Sequence, residues 1–201
     1  NTPELNANPA SHDTRVIKAV LLNSAEKIIS WSNGQVPHPN GLGGVQTTQS
    51  LDYIRGAGAL NLGQAFEQYY PDTNTRDVPG TTAGQQGSVR AVGWDFGSIQ
   101  QGIDNVYPID TPLEGGSDLT VTLTWFRDRT YNPATSAGSE NAQADLDLIV
   151  RDMVTDSIIS ESFSTYNLVE HLNFPLPATS RYQLEVHYSG NLFGSTTAEE
   201  Y

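Results

Sequence analysis

The sequence predicts a mainly β protein: an antiparallel β-sandwich or jelly roll preceded by a short two-helix segment. Two observations predict it. Apolar residues recur at helical spacing through the first seventy residues and switch to a period of two after Val89. Beyond that point about seven short alternating runs are separated by turn clusters, the signature of stacked antiparallel sheets.

The elements follow in order. From Asp13 to Ile29 the residues Val16, Ile17, Val20, Leu21, Ala25, Ile28 and Ile29 share a helical face, with Asp13 or Thr14 as N-cap. Residues 30–50 read as a long loop, because Asn33-Gly34, Pro37, Pro39, Asn40-Gly41 and Gly43-Gly44 supply turn chemistry throughout. Gly56-Ala57-Gly58 suits a close approach of two backbones. A second helix is expected from Asn61 to Tyr69, with Leu62, Ala65, Phe66 and Tyr69 on one face and Asn61 with Gln64 as a capping pair. Residues 71–88 have a linker's composition, which divides the chain into a helical segment (1–75), a linker (76–88) and a sandwich (89–201).

In the second part Leu119, Val121, Leu123 and Trp125 alternate with threonines, and Tyr182, Leu184, Val186 and Tyr188 alternate with polar residues. Further strands are expected near 89–95, 103–109, 145–152, 157–163 and 168–174, with 130–142 a polar loop. Trp125 and Tyr182 continue apolar alternations and belong to the core.

The formal charge is −13 over 201 residues. Up to Arg76 there are five basic and six acidic residues, leaving five basic against seventeen acidic beyond it. Such a surface repels phosphate backbones and anionic lipid, which argues against nucleic-acid and membrane partners, and it suits divalent cations. The absence of cysteine removes disulfides, thiolate metal sites and cysteine nucleophiles. The chain starts at Asn1 and its one methionine is Met153, so a piece of something longer is expected.

No hydrolytic constellation stands out. Ser24 falls within the first predicted helix, and Ser195 follows Gly194 without the flanks of a nucleophile turn. His12, His38, His171 and His187 are scattered, and no two share zinc-ligand spacing. The segment Ala142 to Val150 is the most informative: Leu146, Leu148 and Val150 fall on one strand face, Asp145 and Asp147 on the other. With Asn167 and Glu170 on another predicted strand, Asp145, Asp147 and Glu170 are the candidate ligands for calcium, against the plainer reading of solvated strand-face carboxylates. Carboxylates on one strand face do not make a glycosidase pair, which must face each other across a cleft. Gly56-Ala57-Gly58-Ala59-Leu60-Asn61 mimics a dinucleotide fingerprint but lacks its third glycine and any βαβ context.

Arg15-Val16-Ile17-Lys18-Ala19-Val20-Leu21-Leu22-Asn23-Ser24-Ala25, followed by Tyr53-Ile54-Arg55-Gly56-Ala57-Gly58-Ala59-Leu60-Asn61-Leu62 and a short helix, resembles the closing segment of subtilisin-like serine proteases. The second part is similar to the sandwich that follows the catalytic domain in some secreted members. It carries Leu119 to Trp125, Asp145-Leu146-Asp147-Leu148, Asn167-Leu168-Val169-Glu170 and Tyr182 to Val186 in that order. The resemblance implies a non-catalytic C-terminal region of a secreted or cell-surface protease. Its partner would be the upstream protease domain, and protein substrate a second contact. The family's catalytic Asp, His and Gly-Thr-Ser blocks precede the matched segment, so no catalytic residue carries over and no activity is expected from this chain alone. Some relatives bind calcium in or beside the sandwich. A calcium-dependent glycan- or protein-binding module is the alternative.

Overall fold

The computed structural model describes residues 9–70 and 89–201. The protein is mainly β with a short helical segment, as the periodicity predicts. The expected linker, 76–88, lies outside the described residues.

A 3-10 helix, Pro9–His12, leads into α1, Thr14–Asn23. Asp13 caps α1 by accepting from the Arg15 N–H at 2.8 Å, which satisfies one of the free amides of the first turn. The helix stops at Asn23 and does not reach Ile29. Ser24 closes it, and Glu26 then exchanges two backbone hydrogen bonds of 2.9 Å with Ala59. The apolar spacing ran past the point where this bridge pulls the chain out of the helix. Gly58 makes the bridge sterically feasible, since its φ is +123° and a Cβ there would lie 2.1 Å from the Glu26 carbonyl oxygen. The second helix, α2, spans Leu62–Tyr69, with Asn61 accepting from the Gln64 N–H.

The loop expected over residues 30–50 contains two very short strands, β1 (Val36–Pro37) and β2 (Val45–Thr47). They are too short to show alternation in sequence. The remaining strands are β3 (Ser98–Gln100), β4 (Asp104–Pro108), β5 (Asp118–Thr124), β6 (Asp128–Asn132), β7 (Ala137–Asp152), β8 (Ser157–Ser162), β9 (Val169–Pro175), β10 (Tyr182–Phe193) and β11 (Ala198–Glu200). No strand forms over 89–95, where only Val89 bridges Ile109. The predicted polar loop at 130–142 is instead an exposed hairpin arm of β6 and the start of β7, held by Thr130–Ser139 hydroxyl pairing and by Arg127 and Arg129 on Glu140. With no apolar face, it gave no periodic signal.

The large sheet runs β1-β2-β8-β7-β10-β4, with β6 on β7, while β5 and β9 form a second sheet and β3 and β11 a third. All pairings are antiparallel except β2 on β8. The helical segment therefore shares a sheet with the sandwich through Gln46 opposite Glu161 and Thr47 opposite Ser162. Leu146, Leu148 and Val150 of β7 and Tyr182, Val186 and Tyr188 of β10 belong to one buried cluster with Leu119 and Leu123 of β5 and Leu172 and Phe174 of β9. A smaller cluster joins Val16 and Val20 of α1 to Ala65 of α2 and Trp94.

Candidate functional site

Cross-strand register gathers the polar row on the outer face of the large sheet. Asp145 and Asp147 alternate with core leucines on β7, and Asp147 stands opposite His187 of β10, itself opposite Asp104 of β4. The Ser189 hydroxyl donates to Asp147, and His187 Nδ1 pairs with Asp104. On the next strand Glu161 of β8 meets His38 at 3.3 Å.

Partial burial, and then the neighbouring Asp147 charge, push the Asp145 carboxyl up to about 6. Its Oδ1 is buried without a hydrogen-bond partner among the described residues. Burial also raises Asp147, against the opposing pull of the Ser189 hydroxyl and the His187 charge. Two ionised carboxylates this close on one strand face cost free energy unless a proton or a cation separates them.

Glu170 does not share this face. It alternates in step with Leu172 and Phe174, which turns it inward between the sheets, and its strand pairs with β5 rather than β7. The side chain is fully buried, and its carboxyl accepts from the Ser162 and Ser164 hydroxyls and from the Ser164 N–H at 2.9 Å. Burial outweighs those three bonds and pushes its pKa up to about 8, so the group is largely protonated at neutral pH. Asp145 and Asp147 thus share the outer face, while Glu170 lies inside, near enough for the Asp147 charge to add to its raised pKa. Among the described residues no group of three or more His, Asp or Glu side chains stands in a metal-holding arrangement. Asp145 and Asp147 can offer two carboxylates to a cation from the outer face.

Catalytic arrangements fare no better. The Ser24 hydroxyl donates to the Leu21 carbonyl at the end of α1. Ser11 Oγ lies 3.1 Å from His12 Nδ1, but Ser11 is fully buried, and Asp13 spends its carboxylate on Arg15. Among the described residues the neighbouring carboxylate, Asp13, is thus committed to Arg15 and does not orient that imidazole. Ser189 binds Asp147 directly and leaves His187 to Asp104, so the outer row is a set of pairs and not a relay.

Comparison with protein-family models and with curated proteins finds no match. The functional reading therefore rests on the residues themselves.

A feature that periodicity hid lies on the helical segment. Of eighteen exposed large apolar side chains among the described residues, eleven fall between Ile17 and Phe66. On α1 Val16 and Val20 are buried while Ile17 and Leu21 face outward one turn apart; on α2 Ala65 is buried while Leu62 and Phe66 do the same. Ile29, Tyr53 and Ile54 are 90%, 88% and 86% exposed. Each helix thus has two apolar faces and buries one. No helix among the described residues is long and apolar enough to cross a membrane.

Proposed function

We propose that the chain is a non-catalytic C-terminal region of a secreted subtilisin-like serine protease, in which α1, α2 and the connecting segment seat the upstream protease domain and the sandwich braces them. The observation that carries this reading is the set of exposed apolar side chains, Ile17 and Leu21 on α1 and Leu62 and Phe66 on α2, with Ile28, Ile29 and Leu60 exposed as well. Exposed apolar surface of this kind, rimmed by polar residues, marks a docking face. The order of the sequence motifs supplies the identity of the partner. The sandwich would stabilise the protease domain or assist in binding protein substrate.

Two measurements test this. The purified chain should neither hydrolyse peptides nor be labelled by a serine-reactive fluorophosphonate; inhibitor-sensitive turnover that survives purification would overturn the reading. The coding sequence upstream of Asn1 should carry Asp, His and Gly-Thr-Ser blocks in frame, and a stand-alone binding module becomes the better account without them.

The alternative, a calcium-dependent glycan- or protein-binding module, draws on the unpartnered Asp145 Oδ1 beside Asp147. Its glycan arm would have to use the exposed Tyr53, Tyr131 and Tyr166, since Trp94 and Trp125 are buried. If calcium binds the pair, millimolar calcium raises the melting temperature at pH 7.5 by about 2–4 °C relative to chelator, and Asp145→Asn removes the response. Equal responses in both proteins exclude this pair.

A further inference from the structure

The edge of β9 away from β5 is closed by side chains and not by another strand. The hydrogen bonds account for every outward group of two residues. His171 N–H donates to Ser162 Oγ at 3.4 Å, and His171 C=O accepts from Asn33 Nδ2 at 3.0 Å. Asn173 N–H donates to Gln35 Oε1 at 3.1 Å, and Asn173 C=O accepts from Gln35 Nε2 at 2.8 Å. The Gln35 carboxamide, one acceptor and one donor in a plane, reproduces the pairing that a neighbouring backbone residue would offer. Asn33 is fully buried and tied also to the Ser50 carbonyl, so it is placed rather than adventitious. Pro175, at the end of β9, has no N–H to offer.

We infer that Asn33 and Gln35 are a built-in edge seal, which prevents β9 from accepting the β9 strand of a second copy of this chain. An unsealed edge displays alternating donors and acceptors ready to pair with another strand. The segment Val169 to Phe174 suits such pairing: it is long enough for several ladder bonds, and Leu172 and Phe174 give it a defined apolar face. Two copies can meet edge to edge about a two-fold axis, each strand offering the groups it receives. The seal also gives the connecting segment a role apart from any protease domain. It couples attachment of residues 33–50 to the oligomeric state of the sandwich, a role that stands whether or not the protease reading holds.

The test uses the whole chain and sedimentation velocity from about 5 to 500 μM. Wild type should stay monomeric across this range. Asn33→Ala with Gln35→Ala should show concentration-dependent dimers or larger species, with faster amide exchange at Asn173 in the dilute monomer. Adding Asn173→Pro removes the outward N–H and places a ring on the edge, so it should return the double variant to monomer. Oligomers that persist with Asn173→Pro come from another surface or from unfolding and overturn the inference. A double variant that stays monomeric overturns it as well. Should the double variant fold poorly, Gln35→Met keeps the volume and removes both amide groups, and it should give the same association to a smaller extent.

Discussion

Between pH 6.5 and 8 the folded protein should lose stability on the order of a few kcal/mol, and Glu170→Gln should abolish most of that loss. Glu170 is raised from 4.5 to about 8. Its folded form therefore holds a proton that the unfolded chain releases. The contribution is complete below pH 4.5 and is lost as pH rises through about 8. Asp145, raised to about 6, and Glu199, raised to about 7 mainly by burial, slope the same way. His171 opposes them. Burial lowers it from 6.5 to about 3, so its neutral form favours the fold, and its contribution is complete above 6.5 and lost towards 3. Between 4.5 and 6.5 the loss from Glu170, Glu199 and Asp145 exceeds the gain from His171, so stability already declines there and its maximum lies at about pH 4.5 or below. Above 6.5 His171 no longer compensates, and the carboxyls dominate. Gln at 170 has a similar shape and no charge to desolvate, so the variant should equal or exceed wild type at pH 8 and fall slightly below it at pH 5. Denaturant unfolding at both values measures this. A Glu170→Gln variant with the same pH slope as wild type would show that the carboxyl is not the group responsible.

The second large effect is expected at Trp125. It is fully buried between the sheets, and its Nε1–H donates to the Ala144 carbonyl at 3.0 Å. Trp125→Ala should cost about 3–5 kcal/mol, from lost apolar burial, a cavity and an orphaned carbonyl. Trp125→Phe should recover part of that cost, since the ring fills most of the space but cannot donate. Chemical denaturation of the three proteins gives the order wild type, Phe, Ala. A Phe variant as stable as wild type would mean that the Ala144 bond contributes nothing.

These two residues also show what the sequence made legible. Trp125 was readable because it extends Leu119, Val121 and Leu123 at a period of two, and the same alternation gave β5, β7 and β10. The edges of elements were harder. Ile28 and Ile29 kept helical spacing while the chain had already turned to pair with Ala59, because a long-range bridge overrode local periodicity. β1 and β2 are shorter than one alternation, and the β6 arm has no apolar face, so neither produced a pattern. Parity alone puts Asp145 and Asp147 on the strand face away from Leu146 and Leu148. Parity also carried the signal for Glu170, which is in step with Leu172 and Phe174 and so belongs inside. Its charge suggested a surface ligand, and only the buried Ser162 and Ser164 hydroxyls explain how the core accepts it. The second apolar stripe of α1 was present as Ile17 and Leu21 in the same run as Val16 and Val20, but sequence alone does not say which half of a broad apolar face is covered.

The central proposal is that α1 and α2 keep one face packed against each other, Trp94 and β5 and offer the other to a protease domain on the same polypeptide. Amide hydrogen exchange across α1, α2 and residues 26–29, compared between this chain alone and the chain extended at its N-terminus by the proposed protease domain, measures it most directly. Protection should rise in those segments and stay unchanged in β7 and β10. Equal protection of α1 and α2 in both proteins would contradict the account.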